Sequence, residues 1–304
     1  MINFLVLGGG GFIGKNLIPS LASFGNVKIL DKNIPQEFLN NKSYVCKTGD
    51  YTNMTCFDEL LDNVDIVFHL ISTTLPSEGT KNTPLEISSN VLPTVNLLES
   101  MRRCNVKKII FASSGGTVYG DTNGNYNNVN DPLSPICSYG LQKQLIENCL
   151  MFYNRLGIIN CKIARITNPY GIGQQIDKPQ GIIPILIYRL RKDIPITVLG
   201  DGSIYRDFIY MDDLINLLLL LCKYNGDVSI FNVGFGKSYS IIDLIRIIEE
   251  KAFKKFKEIM YQPSRDFDIP VVNINIEKTI SELAWEPKIS LENGIELILN
   301  KIDI

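Results

Sequence analysis

Residues 8–14 read GGGGFIG, directly after the apolar stretch Phe4–Leu7 and at the start of a segment, Phe12–Phe24, with helical periodicity. A glycine turn between a strand and a helix lets the backbone approach a pyrophosphate closely. The helix N-terminus presents unpaired N–H groups and a partial positive charge to the phosphates. The stretch therefore predicts a strand–turn–helix unit that binds a dinucleotide.

An acidic residue follows at the expected spacing. Asp31 ends a second apolar strand, Val27–Leu30, about twenty residues after the glycines, where a ribose-binding carboxylate belongs. A carboxylate there bonds a 2′-hydroxyl and repels a 2′-phosphate, which favours NAD, although the adjacent Lys32 keeps NADP open. The alternative is a structural glycine turn with Asp31 as a solvated strand end.

Strands and helices alternate through the first half of the chain. Buried strands are expected at 65–70, 108–112 and 161–165, and helices at 90–103 and 139–156. Such repeats predict an α/β fold, a Rossmann-type doubly wound parallel sheet with right-handed crossovers, followed by a smaller α/β C-terminal lobe. We expect an NAD-binding domain at 1–167, to which 205–235 returns, and a second lobe at 168–304.

The second half shows fewer patterns. Residues 168–181 are rich in Gly, Pro and Gln and read as a loop. Asp212 and Asp213 stand where a helix cap belongs, ahead of an apolar run, and Ser240 is expected to cap a further helix.

Composition excludes several classes of protein. The 304 residues carry a net charge of -2 with no long basic run, which argues against a nucleic-acid partner. The longest apolar run, 214–222, is too short to span a bilayer, and the N-terminus lacks the features of a signal peptide. Seven cysteines without a Cys-x-x-Cys pair and a single histidine, His69, argue against disulfides and a metal site, and favour the reducing cytoplasm.

A tyrosine and a lysine stand four residues apart at the start of a predicted helix. Tyr139 and Lys143 would share one helix face. A nearby ammonium favours the phenolate and lowers the pKa of a phenol, so Tyr139 could take a proton from a sugar hydroxyl while hydride leaves the same carbon. The spacing alone is common by chance; its place after a strand ending in Ser113-Ser114 gives it weight.

Together these stretches resemble the extended short-chain dehydrogenases, and within them the NAD-dependent nucleotide-sugar epimerases and dehydratases. The resemblance runs almost end to end. Its landmarks are GGGGFIG at Gly8, GD at Gly49, FHL at Phe68, SSGGTVYG at Ser113, SYGLQK at Ser138, ARITNPYG at Ala164, YRDFIYMDDL at Tyr205 and WEP at Trp285.

The resemblance implies a set of NAD-binding residues. The glycine turn would hold the pyrophosphate, Asp31 the adenosine ribose, and Asp50 with Tyr51 would flank the adenine. The residues implied at the cofactor are Gly8, Gly11, Phe12, Ile13, Gly14, Asp31, Asp50, Tyr51, Leu70, Ile71, Ser72, Asn90, Ser113, Tyr139 and Lys143.

It also implies that the C-terminal lobe, 168–304, is the substrate-binding lobe and holds a nucleotide sugar. Asn168 would meet the substrate diphosphate, Arg206 and Arg265 would clamp the phosphates, and Asp268 would bond the uridine ribose. The alternative for the two arginines is a surface ion pair with Asp207 or Asp266.

One position departs from the family pattern. Epimerases of the family usually carry Ser or Thr three residues before Val-Tyr-Gly, and that position is Gly115. Ser114 or Thr117 is therefore expected to supply the catalytic hydroxyl. The same stretch argues against a 4,6-dehydratase, which needs an Asp-Glu pair where this chain has Gly116-Thr117.

These observations predict an NAD-dependent 4-epimerase of a UDP-hexose or UDP-N-acetylhexosamine. The alternatives are an NAD(P)H-dependent 4-keto-sugar-nucleotide reductase and a non-catalytic NAD-binding protein. The resemblance implies a cytoplasmic homodimer packed through helices 90–103 and 139–156, in a setting such as polysaccharide precursor supply, with no metal and no membrane partner.

Overall fold

A computed structural model of the chain describes residues 1–74, 82–174, 181–265 and 268–301. They fall into two units. The first unit comprises Met1–Ser114, Cys137–Arg165 and Leu217–Phe231, and the second comprises Gly115–Ile136, Ile166–Asn216 and Asn232–Ile304.

The strands are numbered in chain order. Within the described ranges they are β1 Ile2–Leu7, β2 Gly25–Asp31, β3 Tyr44–Thr48, β4 Ile66–His69, β5 Lys108–Ser114, β6 Asn160–Ile166, β7 Asn168–Tyr170, β8 Ile196–Leu199, β9 Tyr205–Tyr210, β10 Ile230–Val233, β11 Ser238–Ser240 and β12 Ile259–Gln262.

The helices are numbered in the same way. They are α1 Phe12–Ala22, α2 Gln36–Leu39, α3 Asp58–Leu61, α4 Thr83–Glu86, α5 Leu92–Arg103, α6 Ser138–Arg155, α7 Ile182–Arg191, α8 Met211–Lys223, α9 Ile241–Ala252, α10 Glu277–Leu283 and α11 Leu291–Lys301. The described residues also include a 3₁₀ turn at Tyr51–Asn53 and a π-helical turn at Ile87–Val91.

The main sheet confirms the predicted doubly wound fold. Its seven strands run in the order β10-β6-β5-β4-β1-β2-β3, with parallel pairs from β3 through β5. All four residues of β4 are buried, as expected of a strand covered on both faces. The chain order reverses between β1 and β4, and a ligand crevice of such sheets forms at the carboxyl ends of the strands there.

The first unit is held together by an apolar core around this sheet. Leu5 and Leu7 of β1 pack in one cluster with Val67 of β4 and with Leu97 of α5 and Ile146 of α6. Burial of such side chains contributes roughly 1.5–3 kcal/mol each. The core fixes the strand ends and α6 in place, and these elements carry the predicted site.

The second unit contains two small sheets and a core of its own. One sheet has the order β11-β9-β7 and the other pairs β12 with β8. The core cluster includes Tyr170, Phe208 and Tyr210 from the first sheet, with Leu244 of α9 and Ile295 of α11. This unit is the α/β body expected in the C-terminal half.

The unit boundaries differ from the expected division at 167/168. Residues 115–136 belong to the second unit because Asn127 bridges Ile274 and donates to Asn273 O at 2.9 Å. The stretch that returns to the first unit is Leu217–Phe231, not 205–235, since β9 pairs with β7 and β11.

Two local expectations were wrong and one is confirmed. Asn168–Tyr170, expected as loop, is strand β7 paired with Phe208–Tyr210. Asp213 lies inside the first turn of α8, and its carboxylate accepts from Lys288 N and Ile289 N at 3.0 and 2.8 Å. Ser240 caps α9 in a capping box with Asp243, as predicted.

No helix within the described ranges has both the length and the apolar character needed to cross a bilayer. All seven cysteines are free thiols.

Candidate active site

The glycine turn packs so closely against neighbouring parts of the chain that side chains would clash there. Gly8 adopts φ +89°, and a Cβ there would lie 3.1 Å from Ile71 N. A Cβ on Gly10 would lie 2.0 Å from Asn33 O, and one on Gly14 would lie 2.5 Å from Gly8 O. The turn is therefore packed to the point where only glycine fits.

The first turn of α1 is open toward a ligand. Its N-cap, Gly11, provides no side-chain hydrogen bond, so the N–H groups of Phe12 and Ile13 are not capped by a side chain. These donors and the positive end of the helix suit a diphosphate. The geometry fits the predicted dinucleotide.

Asp31 holds the turn from the end of β2. Its carboxylate accepts from Gly10 N and from Asn33 N, both at 2.9 Å. Lys32, which kept NADP open, pairs with Asp50 at 3.0 Å. Because a carboxylate already neutralises this cation, the surroundings favour an unphosphorylated ribose.

Asp50 and Tyr51, the residues predicted to flank the adenine, differ in their surroundings. The Asp50 carboxylate caps the 3₁₀ turn through Thr52 N at 2.9 Å. Tyr51 is buried, with its hydroxyl 2.9 Å from both His69 Nε2 and Thr94 Oγ1. That Tyr51 flanks the adenine of the cofactor stays a prediction.

The segment after β4 lies directly beside the glycine turn. Leu70 N donates to Leu7 O at 2.9 Å. Ile71 N lies so close to Gly8 that a Cβ on Gly8 would be 3.1 Å from it. Asn90 holds the next residues, since its Oδ1 accepts from Thr73 N at 3.0 Å and its Nδ2 donates to Thr73 Oγ1 at 2.7 Å. Asn90 lies in the π-helical turn, a feature frequent at functional sites.

Tyr139 and Lys143 lie on the first turns of α6. Lys143 Nζ is 5.7 Å from the centre of the Tyr139 ring, 4.7 Å from that of Phe111, and donates to Ala112 O at 2.8 Å. Burial lowers the pKa of Lys143 to about 8, while negative charge on Glu147 and Glu86 raises it.

The expected pKa of Tyr139 is wrong in direction. Burial raises the pKa of its phenol well above the ordinary value, and electrostatic interaction with Cys137 and Glu86 raises it further. The nearby Ser72 hydroxyl lowers it. Desolvation of the charged form outweighs that effect, so burial favours the neutral phenol.

The candidate hydroxyls near Gly115 differ in their surroundings. The Ser113 hydroxyl donates to Glu147 of α6, so its hydrogen is not available to a ligand. Ser114 is buried on β5. Thr117 Oγ1 is buried and has no hydrogen-bond partner among the described residues, which leaves it able to bond a ligand oxygen. Which of Ser114 and Thr117 serves the reaction stays a prediction.

The predicted substrate residues of the second unit gather around β9. Asn168 Nδ2 donates to Asp207 O at 2.8 Å, and Arg206 Nη1 donates to Ile269 O at 2.6 Å. Burial lowers the pKa of Arg206 to about 10, with Asp268 raising it and the like charge of Arg265 lowering it. Two neighbouring guanidinium groups suit an anion such as a diphosphate.

Asp207 does not form the surface ion pair that was the alternative for the two arginines. The Asp207 carboxylate is fully buried and accepts from Phe235 N at 2.8 Å and from Gly236 N at 2.7 Å. Arg265 pairs with Asp268 at 3.1 Å, and Asp266 lies outside the described residues. Asp268 is thus held beside the arginines.

Sequence reasoning missed three buried polar residues beside the pair on α6. Glu147 forms a buried ion pair with Arg165 at 2.7 Å. Gln142 and Glu86 are buried beside the segment after β4. The spacing Tyr139-x-x-x-Lys143-x-x-x-Glu147 could have indicated the first, because positions four apart share a helix face. No local pattern marks the other two.

Within the described ranges no three His, Cys, Asp or Glu residues cluster as a metal site.

Comparison with known proteins places this geometry in a family. The model of the NAD dependent epimerase/dehydratase family matches residues 4–234. The chain is 33% identical to a dTDP-4-dehydro-6-deoxyglucose reductase of Escherichia coli, over 98% of this chain and 96% of that one.

Solved structures agree over the whole length. A UDP-glucose 4-epimerase of Thermotoga maritima, solved with UDP-glucose, is 28% identical with a TM-score of 0.91, covering 98% of both chains. A UDP-glucose 4-epimerase of Thermus thermophilus, solved with NAD, is 26% identical with a TM-score of 0.89 over 98% of both chains. The chain therefore belongs to the NAD-dependent epimerase/dehydratase family of nucleotide-sugar enzymes, and its cofactor is NAD.

Proposed function

We propose that the protein is a 4-epimerase of a UDP-hexose or UDP-N-acetylhexosamine. The observation that carries the proposal is Tyr139 on α6, with the Lys143 ammonium 5.7 Å from its ring, in the unit that also contains the glycine turn. Similarity to the Thermotoga UDP-glucose 4-epimerase over 98% of both chains supports the substrate class.

The chain's own residues perform the proton transfer and hold the substrate. In its phenolate form, Tyr139 takes the proton of the C4 hydroxyl and returns it to the sugar oxygen after the 4-keto sugar has rotated to present its other face. Lys143 keeps positive charge beside the ring, and Thr117 or Ser114 bonds the sugar oxygen. Arg206 and Arg265 hold the diphosphate, with Asp268 at the ribose. NAD, when bound, would accept the hydride that leaves C4 of the sugar.

A second candidate is a 4-keto-sugar-nucleotide reductase. Two observations favour it: the similarity to the Escherichia coli reductase, and the raised pKa of Tyr139, because a phenol is the form that donates a proton to a keto oxygen. A reductase releases oxidised cofactor each turnover, whereas an epimerase regenerates NAD.

The test is incubation of purified protein with UDP-glucose, UDP-galactose and their N-acetyl forms, with products identified by NMR. We expect inversion at C4 without added NADH. A parallel incubation contains NADH and a 4-keto sugar nucleotide. Consumption of NADH only in that incubation would establish the reductase instead. No reaction in any incubation would refute both the epimerase and the reductase.

Two tyrosine variants on α6 separate chemistry from folding. Tyr139→Phe is expected to abolish turnover and leave NAD binding unchanged, because only the acid/base hydroxyl is lost. Tyr153→Phe is the matched control on the same helix; its hydroxyl donates to Glu99, and turnover should persist. Full activity of Tyr139→Phe would contradict the assignment.

We also propose a homodimer formed through α5 and α6. Leu92, Phe152 and Leu156 on these helices are 50% exposed or more, and large exposed apolar side chains are typical of an interface.

A further inference from the structure

A fully buried carboxylate lies next in sequence to a predicted substrate residue of the second unit. Asp207 follows Arg206 on β9 and is 0% exposed. Its Oδ1 accepts from Phe235 N at 2.8 Å and from Thr167 Oγ1 at 3.1 Å, and its Oδ2 accepts from Gly236 N at 2.7 Å. Burial of a carboxylate is costly unless its oxygens are hydrogen-bonded. Donors from two other segments of the unit satisfy this one.

The turn between β10 and β11 packs closely against the carboxylate. A Cβ on Gly234 would lie 2.8 Å from Asp207 Oδ1, and Gly236 has a φ of +81°, which glycine adopts without steric cost. Thr167 is fixed in turn, because its N–H donates to Val233 O at 2.9 Å. The Asp207 carboxylate therefore joins β9 to the residue after β6 and to the turn after β10.

The main-chain carbonyl of Asp207 holds another predicted substrate residue. Asn168 Nδ2 donates to Asp207 O at 2.8 Å, and Asn168 stands opposite Phe208 in the parallel pair of β7 and β9. An amide NH₂ group carries two hydrogens, so the second N–H of Asn168 can donate to a phosphate oxygen. The position of the Asp207 carbonyl sets the direction in which that N–H points.

Arg206 is also held by main-chain carbonyls. Its Nη1 donates to Tyr205 O at 2.9 Å and to Ile269 O at 2.6 Å. A guanidinium has five N–H donors in a planar fork, so Nε and Nη2 can still donate to an anion. The main chain of β9 thus sets the positions of both Arg206 and Asn168.

We propose that Asp207 is a positioning residue for the nucleotide diphosphate: its carboxylate fixes the main chain of β9, and through it the Arg206 guanidinium and the Asn168 amide. The inference rests on the proposed function, which has Arg206 hold the diphosphate, and on the predicted contact of Asn168 with it. Asp207 does not touch the substrate, because both carboxylate oxygens are buried and bonded to the protein.

The direction of the effect on affinity separates positioning from charge. A negative charge one residue from a phosphate-binding arginine repels phosphates, so its removal would by charge alone tighten diphosphate binding. In Asp207→Asn, an NH₂ group replaces one acceptor oxygen and faces the N–H of Phe235 or Gly236. At least one hydrogen bond that fixes β9 is lost, and positioning therefore predicts weaker binding.

The first test is calorimetric titration of UDP, dTDP and NAD into wild type and Asp207→Asn. Burial raises the pKa of Asp207 to about 6, so the titrations are run at pH 8, where it is ionised. We expect the Kd of the nucleoside diphosphate to rise roughly tenfold to a hundredfold, as for loss of a hydrogen bond to a charged group. The Kd of NAD should not change, because the glycine turn belongs to the first unit.

The matched control is Asp201→Asn in the same unit. Asp201 is exposed and accepts from Ser203 N at 2.9 Å and from Ser203 Oγ at 2.5 Å, and its variant should bind all three ligands as wild type does. Unchanged or tighter binding of the nucleoside diphosphate by Asp207→Asn would overturn the inference. Equal weakening of NAD and nucleoside diphosphate would also overturn it, because that result indicates a general loss of structure.

The second test places Asp207→Asn in two backgrounds, Asn168→Ala and Arg206→Lys. If Asp207 acts through these residues, its substitution raises the Kd less in at least one background than in wild type. Full additivity in both would overturn the positioning role. Should Asp207→Asn fail to fold, Thr167→Val removes only the longest of the bonds to the carboxylate. It should raise the Kd of the nucleoside diphosphate roughly twofold to tenfold, and an unchanged Kd would overturn the inference.

Turnover separates this inference from the proposed function. With an active wild type, Asp207→Asn should raise KM for the sugar nucleotide more than it lowers kcat, because the tyrosine on α6 is unchanged. Absence of turnover in wild type would refute the epimerase, while the titrations would still decide the role of Asp207. A wild type that binds neither UDP nor dTDP would refute both.

Discussion

The single histidine illustrates how burial sets the charge of one side chain. His69 is 1% exposed at the end of β4, with Nε2 2.9 Å from both Tyr51 Oη and Thr94 Oγ1. Burial, and then the positive charge of Lys143, lower its pKa to about 3. The imidazole is therefore neutral at physiological pH and forms hydrogen bonds with the hydroxyls of Tyr51 and Thr94.

This pKa predicts a pH-dependent stability. Between about pH 3 and pH 6.5 the unfolded chain protonates His69 and the folded chain does not, so the free energy of unfolding falls as pH falls, by up to about 1.4 kcal/mol per pH unit. The His69→Gln variant has no imidazole to take up a proton when the chain unfolds. Its stability relative to wild type should rise by about 2–3 kcal/mol from pH 7 to pH 4.5, measured by urea denaturation.

The matched control is Tyr51→Phe, which removes a hydrogen-bond partner but keeps the imidazole. Its stability should follow the slope of wild type. Parallel curves for wild type and His69→Gln would show that His69 does not titrate on unfolding.

At the scale of elements, α6 brings the chemistry together. Tyr139, Lys143 and Glu147 follow at steps of four along one face. Lys143 bonds β5 through Ala112 O, and Glu147 pairs with Arg165 of β6. The helix is thus fixed at two levels to neighbouring strands, which orients Tyr139 at its first turn.

This anchoring predicts a large effect of Glu147→Gln. Both partners of the ion pair are less than 5% exposed, and the substitution removes the negative charge of Glu147 from beside the buried Arg165 guanidinium. The variant should lose about 3–5 kcal/mol of stability in chemical denaturation. Glu59→Gln, which breaks the exposed pair with Lys47, is the control and should unfold at the wild-type midpoint. Equal midpoints for both variants would contradict the anchoring role.

At the scale of the whole molecule, the outer side of α6 is unusually apolar. Phe152 is 50% exposed and Leu156 is 57% exposed, so the proposed dimer would bury them. The double variant Phe152→Glu/Leu156→Glu should sediment as a monomer at concentrations where wild type is a dimer, because charges would be buried in the interface.

The control variant is Phe253→Glu, which changes a residue that is 97% exposed at the end of α9. It should keep the oligomeric state of wild type. A wild-type protein that sediments as a monomer at all concentrations up to the millimolar range would exclude the dimer.

Much of the fold and part of the site could be predicted from the amino-acid sequence. The glycine turn, Asp31 at the end of β2 and the alternation of strands and helices identified the doubly wound sheet. They are local patterns whose spacing is set by helix and strand geometry. The pairing of Tyr139 with Lys143 on one face of α6 followed from the same helical geometry.

What the residues determined by themselves was thus the doubly wound sheet, its dinucleotide turn and the helix that presents Tyr139. The tertiary structure alone decided that burial raises the pKa of Tyr139, that Gln142 binds Ser72, and that 115–136 join the second unit. Local patterns are encoded by neighbours in the chain, whereas burial, charge and hydrogen-bond partners depend on residues as far apart as Ser72 and Gln142, which only folding brings together.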